Sequence, residues 1–143
     1  MTDEAIPELD FTPCPLNWNH NDMMLLDKGM IGEVFHILAR EDYAPVYLHC
    51  NIGTDRTGMI TFLLGTLCGM HLEDLYRDYL FSNFSTIQGS RDLSAITNKY
   101  QKDLEAYHQD NLYYDTRAYL TECGLDDEEL DRIVERFVDF DVE

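Results

Sequence analysis

Basic residues are scarce in this 143-residue sequence: 10 lysines and arginines stand against 28 aspartates and glutamates, for a formal net charge of −18 at pH 7. A surface this acidic repels the phosphates of nucleic acids and the headgroups of anionic lipids. We therefore expect neither a nucleic acid nor a membrane as a partner. Most of the carboxylates are expected to form a solvated surface.

Cysteines and long hydrophobic runs are also few. The four cysteines are too widely spaced for a metal-ligand motif and too few for a disulfide framework. The acidic N-terminus lacks the basic start and apolar run of a signal peptide. The longest apolar stretch, around residues 59–67, is too short to span a bilayer. These features predict a cytoplasmic protein with reduced thiols.

The length and composition of the chain suit one domain with a packed core, because 45% of the 143 residues are hydrophobic. Three of the four prolines fall in residues 1–21, which predicts an irregular N-terminal segment ahead of a core at 22–143. Gly29 and Gly32 weaken the first predicted helix without forbidding it. The spacing of apolar residues predicts helices at about 22–40, 57–70, 72–83, 92–110, 113–123 and 127–139.

A predicted strand, a tight loop and a buried helix follow one another near the middle of the chain. Residues 43–49 are rich in aromatic and β-branched side chains, which favours a buried strand. Residues 57–70 are apolar on nearly all faces, as in a helix at the centre of a domain. In such a strand–loop–helix unit, the N-terminus of the helix is a binding site for an anion. The prediction is an α/β fold with a short parallel sheet and a mostly helical C-terminal half.

The loop at residues 49–58 reads HCNIGTDRTG and suits both phosphate binding and nucleophilic attack. Cys50 would be held as a thiolate by the helix N-terminus and by the Arg56 guanidinium, which can also grip two phosphate oxygens. Thr57 would donate a hydrogen bond to the sulfur. His49 would fix the loop, or alternatively serve as a buried structural histidine. The backbone N–H groups of six residues would form the phosphate cradle: Asn51, Ile52, Gly53, Thr54, Asp55 and Arg56.

Two aspartates are candidates for the general acid that protonates the leaving group, a role typically worth about 10²–10⁴-fold in rate. Asp55 lies inside the loop, where the alternative is an ion pair with Arg56. Asp22 lies ahead of the first predicted helix, where the alternative is an N-cap. The sequence leaves both aspartates open.

The run HCNIGTDRTG resembles the signature loop of the cysteine-based protein tyrosine phosphatases. Its Asp55–Arg56 pair is similar to the loop of the bacterial and fungal members, as are DYLFSN at residues 78–83 and GLDDE at residues 124–128. The resemblance covers about residues 22–139. It implies hydrolysis of phosphotyrosine, or of phosphomonoesters with dual specificity, through a phosphocysteine on Cys50 and without a metal or other cofactor. The partner would be a phosphorylated protein or a small phosphomonoester.

The sequence departs from this family in its N-terminal part and at one loop position. Members usually carry several strands before the signature cysteine, whereas the 49 residues before Cys50 here offer one clear strand and a second candidate near residues 5–11. We therefore expect N-terminal strands that are reduced, missing or completed by a second chain in a homo-oligomer. The alternatives to an active monomer are an inactive phosphate-binding module and an enzyme complete only as an oligomer. Thr54 replaces a lysine of relatives that act on phosphoinositides, which argues against highly phosphorylated lipids.

Overall fold

The computed structural model describes residues 23–41, 46–50, 55–81 and 92–138. These residues form helices joined by short connections. A π-helical segment, Ile96–Tyr100, runs directly into the fifth α-helix. The α-helices are α1 (Met23–Leu26), α2 (Lys28–Leu38), α3 (Arg56–Leu67), α4 (Leu72–Leu80), α5 (Gln101–Glu105), α6 (Leu112–Glu122) and α7 (Asp127–Phe137).

The core is built around α3, which packs against α4 and α6. Most of the α3 side chains are buried, as its apolar sequence predicts. Two buried threonines join α3 to α6, since the Thr116 hydroxyl donates to Thr66 Oγ1 over 2.8 Å. The Tyr119 hydroxyl donates to the backbone carbonyl of Met24 over 2.7 Å and so connects α6 to α1. These pairings satisfy polar groups that would otherwise be costly to bury.

Helix α2 approaches the end of α6 so closely that only glycine fits at residue 32. A Cβ atom added to Gly32 would lie 2.2 Å from the carbonyl oxygen of Cys123. The Lys28 ammonium beside this contact lies 2.8 Å from Glu122 Oε1. Gly29, one turn earlier, has nothing within 4 Å of the corresponding position. Gly32 is therefore tightly packed against α6, whereas Gly29 has open space beside it.

Helix α7 supplies side chains that satisfy the carbonyl groups at the end of α2. Arg132 donates to the carbonyl of Ala39 over 2.5 Å, and Arg136 donates to the carbonyl of Leu38 over 2.7 Å. Arg136 also donates to the carbonyl of Arg40. The last carbonyls of a helix lack partners within the helix and carry its negative dipole end. Two guanidinium groups complete this terminus.

The predicted α/β fold is wrong for the described part of the chain, where 72% of the residues are helical and none lies in a strand. Residues 46–49, the described end of the predicted strand, are irregular, and Tyr47 is 71% exposed. The reason is that β propensity reflects fit to a half-buried sheet surface and is realised only beside a pairing partner. The second predicted strand, near residues 5–11, lies outside the described residues.

The predicted helices are confirmed in most of their extent, with two differences. The first is broken at Asp27 into α1 and α2, and the predicted helix at 92–110 contains the π segment and ends as α5 at Glu105. A π turn inserts an extra residue into a helix, so hydrophobic spacing alone gives no sign of it. The predicted strand–loop–helix unit therefore keeps its buried helix and loses its strand among the described residues.

Helix α7 begins at Asp127, as predicted, and its start forms a capping box. The Asp126 carboxylate accepts a hydrogen bond from the Glu129 N–H over 2.8 Å, and Glu129 Oε1 accepts one from the Asp126 N–H over 3.3 Å. Glu129 also lies 2.5 Å from His36 Nδ1 on α2. The capping box therefore also holds the Glu129 carboxylate beside His36 of α2.

Replacing Asp126 with alanine is expected to lower the free energy of unfolding by about 1 kcal/mol, because the first-turn N–H groups lose their side-chain acceptor. Urea denaturation followed by circular dichroism measures the loss. The control is Glu128→Ala, an exposed carboxylate in the same turn, where only a dipole interaction of about 0.3 kcal/mol is removed. Equal losses in the two variants would contradict the capping role.

Candidate active site

The predicted site includes the N-terminus of α3. Arg56 is the first residue of α3, Asp55 is its N-cap, and both are half-buried, as is Cys50. Thr57 is half-buried in the first turn. Four cradle residues, Asn51, Ile52, Gly53 and Thr54, and the candidate acid Asp22 lie outside the described residues. The structure thus describes the predicted nucleophile, the arginine and one of the two candidate acids.

Asp55 occupies a capping position without capping the helix. Its backbone is in the α region, and its carboxylate accepts no hydrogen bond from the described first turn of α3. By contrast, the side chain of Asn111 accepts from Tyr114 N–H at the start of α6, and Asp126 does the same for α7. The first-turn N–H groups of a helix attract anions. At α3 the Asp55 carboxylate does not compete for them.

His49 lies beside the cysteine on the surface of the molecule. Its Nδ1 is 3.3 Å from the carbonyl oxygen of Cys50, and its ring centroid is 5.7 Å from that of Tyr47. The predicted role of His49 in fixing the loop stays a prediction. The alternative of a buried structural histidine is wrong, because His49 is exposed.

Two tyrosines of the core line the first turns of α3. The ring of Tyr79, on α4, lies against Gly58, where an added Cβ would be 3.4 Å from two ring carbons. The ring of Tyr100, at the end of the π segment, has its centroid 6.2 Å from that of Phe62. Tyr79 is buried in the core.

Tyr100, near the candidate site, has a buried hydroxyl group with a strongly raised pKa. The side chain is 1% exposed, and its hydroxyl has no hydrogen-bond partner among the described residues. Burial raises the pKa of the phenol far above its ordinary value, and the nearby charges of Tyr79 and Asp55 raise it further. Sequence reasoning missed Tyr100, because nothing in its spacing distinguishes it from other apolar-face tyrosines.

Neither a metal cluster nor a spanning helix accompanies this site in the described ranges. No group of three or more histidine, cysteine, aspartate or glutamate side chains is placed there to hold a metal ion. None of the helices in residues 23–41, 55–81 and 92–138 has the length and apolar character needed to cross a bilayer.

Comparison with known proteins gives one family. A family model described as the tyrosine phosphatase family matches residues 16–139. Searches among curated proteins and among solved structures found no match. The matched range contains Asp22, the whole 49–58 loop and all the helices described above.

Proposed function

The chain belongs to the tyrosine phosphatase family, and from this premise we propose that it hydrolyses phosphotyrosine in proteins through a phosphocysteine on Cys50. The observation that carries the proposal is the start of α3 at Arg56. The arginine of the HCNIGTDRTG loop thereby stands at the positive end of a 12-residue helix, six residues after the cysteine. A helix N-terminus and an adjacent guanidinium both favour a bound phosphate and a deprotonated thiol.

The first step is an in-line displacement at phosphorus. The Cys50 thiolate forms a phosphorus–sulfur bond while the bond between phosphorus and the phenolic oxygen breaks, and that oxygen takes a proton from a carboxyl group. The N–H groups of residues 51–56 and the Arg56 guanidinium are proposed to hold the equatorial oxygens throughout. In the second step water attacks phosphorus, the phosphorus–sulfur bond breaks, and the same carboxylate takes the proton from the water.

Asp55 is the carboxyl group that we propose as the acid. An aspartate at an N-cap position normally accepts hydrogen bonds from the first turn, and the Asp55 carboxylate does not do so. Its negative charge also raises the pKa of the buried Tyr100 hydroxyl. The missing cap hydrogen bond supports a role outside the helix cap. Asp22, outside the described residues, is the competing acid.

The proposed nucleophile also bears on where the protein works. A cysteine kept as a thiolate is oxidised readily, to a sulfenic acid and beyond. We therefore propose a reducing compartment, the cytoplasm, as its location. Phosphorylated proteins are the proposed partners, since the acidic surface disfavours nucleic acids and anionic membranes.

The purified chain is expected to release phosphate from para-nitrophenyl phosphate and from a phosphotyrosine peptide in the presence of EDTA, because no step uses a metal. A phosphoserine peptide of the same sequence distinguishes tyrosine specificity from dual specificity. Sedimentation of the active species shows whether the monomer suffices or a homo-oligomer is needed. Peptide binding without phosphate release would contradict the proposal and indicate a phosphate-binding module. Loss of turnover on adding EDTA would contradict the metal-free mechanism.

A further inference from the structure

The buried hydroxyl of Tyr100 is out of place in an apolar core. A buried hydroxyl without a partner costs free energy, and phenylalanine would fill the same volume without that cost. The Tyr100 hydroxyl has no partner among the described residues, although the side chain is 1% exposed. A buried polar group of this kind calls for a partner that arrives during function.

The position of Tyr100 relative to α3 identifies that partner. Residues 55, 59 and 62 lie on one face of α3, since residues separated by four and seven positions align along a helix. Tyr100 packs its ring on Phe62, at one end of this face. At the other end lies Asp55, whose charge acts on the Tyr100 hydroxyl. Tyr79, the other titratable group that acts on Tyr100, lies against Gly58 between them.

The backbone that carries Tyr100 supports the same view. Tyr100 is the last residue of the five-residue π segment Ile96–Tyr100, after which the chain continues as the regular helix α5. A π turn costs regular hydrogen-bond geometry, and such turns are frequent at functional sites. Here it sets the rotation of Tyr100 relative to the following helix.

Resting on the proposed function, we propose that Tyr100 is a positioning residue for the acid Asp55. When phosphate occupies the cradle, the Tyr100 hydroxyl donates a hydrogen bond to the carbonyl oxygen of the protonated Asp55 carboxyl. The other oxygen of that carboxyl, which carries the proton, is then directed at the leaving oxygen. Hydrogen bonds of this kind are often long in the unliganded protein and tighten in the substrate complex.

The kinetic test is Tyr100→Phe, which keeps the ring and its packing on Phe62. On phenyl phosphate, whose leaving group needs the proton, kcat/KM is expected to fall about tenfold, because kcat/KM reports the first step and not the hydrolysis of the phosphocysteine common to both substrates. On para-nitrophenyl phosphate, whose leaving group is more acidic, the fall is expected to be less than about threefold. In an Asp55→Asn background, Tyr100→Phe is expected to add no further loss, because the two residues act as a unit. Equal losses on both substrates, or full additivity, would overturn the proposal.

The matched control is Tyr76→Phe. The Tyr76 hydroxyl on α4 donates to Gln101 Oε1 over 2.6 Å and so connects α4 to α5 in the same part of the core. Its removal deletes a satisfied hydrogen bond and is expected to lower stability while leaving the ratio of the two kcat/KM values unchanged. A change in that ratio as large as in Tyr100→Phe would overturn the assignment to Tyr100.

A second measurement tests the pairing of Tyr100 with Asp55 independently of whether the protein hydrolyses phosphotyrosine. In wild-type protein labelled at tyrosine Cζ and saturated with inorganic phosphate, the Tyr100 resonance is expected to shift over the acidic pH range in which carboxyl groups titrate. This shift is expected to vanish in Asp55→Asn. The same pH response in both proteins would overturn the pairing even if the enzyme turns over. A shift that depends on Asp55 in a protein without turnover would support the pairing while the proposed hydrolysis fails.

Discussion

Replacing Cys50 with serine is expected to lower kcat on para-nitrophenyl phosphate by about 10⁴-fold or more, because an alcohol is far less ionised than a thiol and attacks phosphorus poorly. The backbone cradle and Arg56 are untouched by the change. Inorganic phosphate is therefore expected to bind the variant with an affinity within about threefold of wild type. Steady-state kinetics and isothermal titration calorimetry measure the two effects.

The matched control for this variant is Cys68→Ser, at the C-terminal end of α3. Cys68 follows α3 directly and is half-buried, and burial raises the pKa of its thiol to about 11. Such a thiol stays protonated at neutral pH and is a poor nucleophile. Turnover in Cys68→Ser is expected to match wild type. Persistent turnover in Cys50→Ser, or an equal loss in Cys68→Ser, would contradict the role of Cys50.

The largest effect on stability is expected for Gly32→Ala. The added methyl group would lie 2.2 Å from the Cys123 carbonyl oxygen, and this oxygen belongs to the backbone, so it cannot rotate away. Helices α2 and α6 must separate, which also strains the Lys28–Glu122 ion pair. We expect the free energy of unfolding to fall by about 3 kcal/mol, a large fraction of the roughly 5–15 kcal/mol that a domain has.

Gly29→Ala is the control, because it makes the same chemical change one turn earlier in α2. Nothing lies within 4 Å of the added methyl group, and alanine is the better helix former by about 0.5–1 kcal/mol. Urea denaturation is expected to show a gain in stability of that size. If both variants changed stability in the same direction, the close approach of α2 and α6 would be in doubt.

These two glycines illustrate what sequence can and cannot predict. Both appear in the sequence as equal weaknesses of one helix, and only the distance to Cys123 in the folded chain separates them. The start of α7 was predictable because a capping box joins residues three positions apart. The strand at 43–49 was predicted wrongly over its described end, because strand formation depends on a neighbour that no local pattern specifies.

The candidate site likewise has residues that the sequence predicts and one that it does not. The roles of Cys50 and Arg56 were predicted from a short loop with a distinctive spacing and stay predictions, whereas the helix predicted after that loop is present and begins at Arg56. Tyr100 lies 45 positions after Asp55 along the chain. Its significance arises from burial, from an unpartnered hydroxyl and from a π segment, none of which leaves a mark in the periodicity of the sequence.

The arginines of α7 have a consequence for biosynthesis. Arg132 and Arg136 bind carbonyls that lie 93 and 98 residues earlier in the chain. While the protein is being translated, those carbonyls remain hydrated until α7 leaves the ribosome. Contacts of such long range slow folding. We therefore expect a nascent polypeptide stalled before residue 132 to be much more sensitive to protease than one released in full.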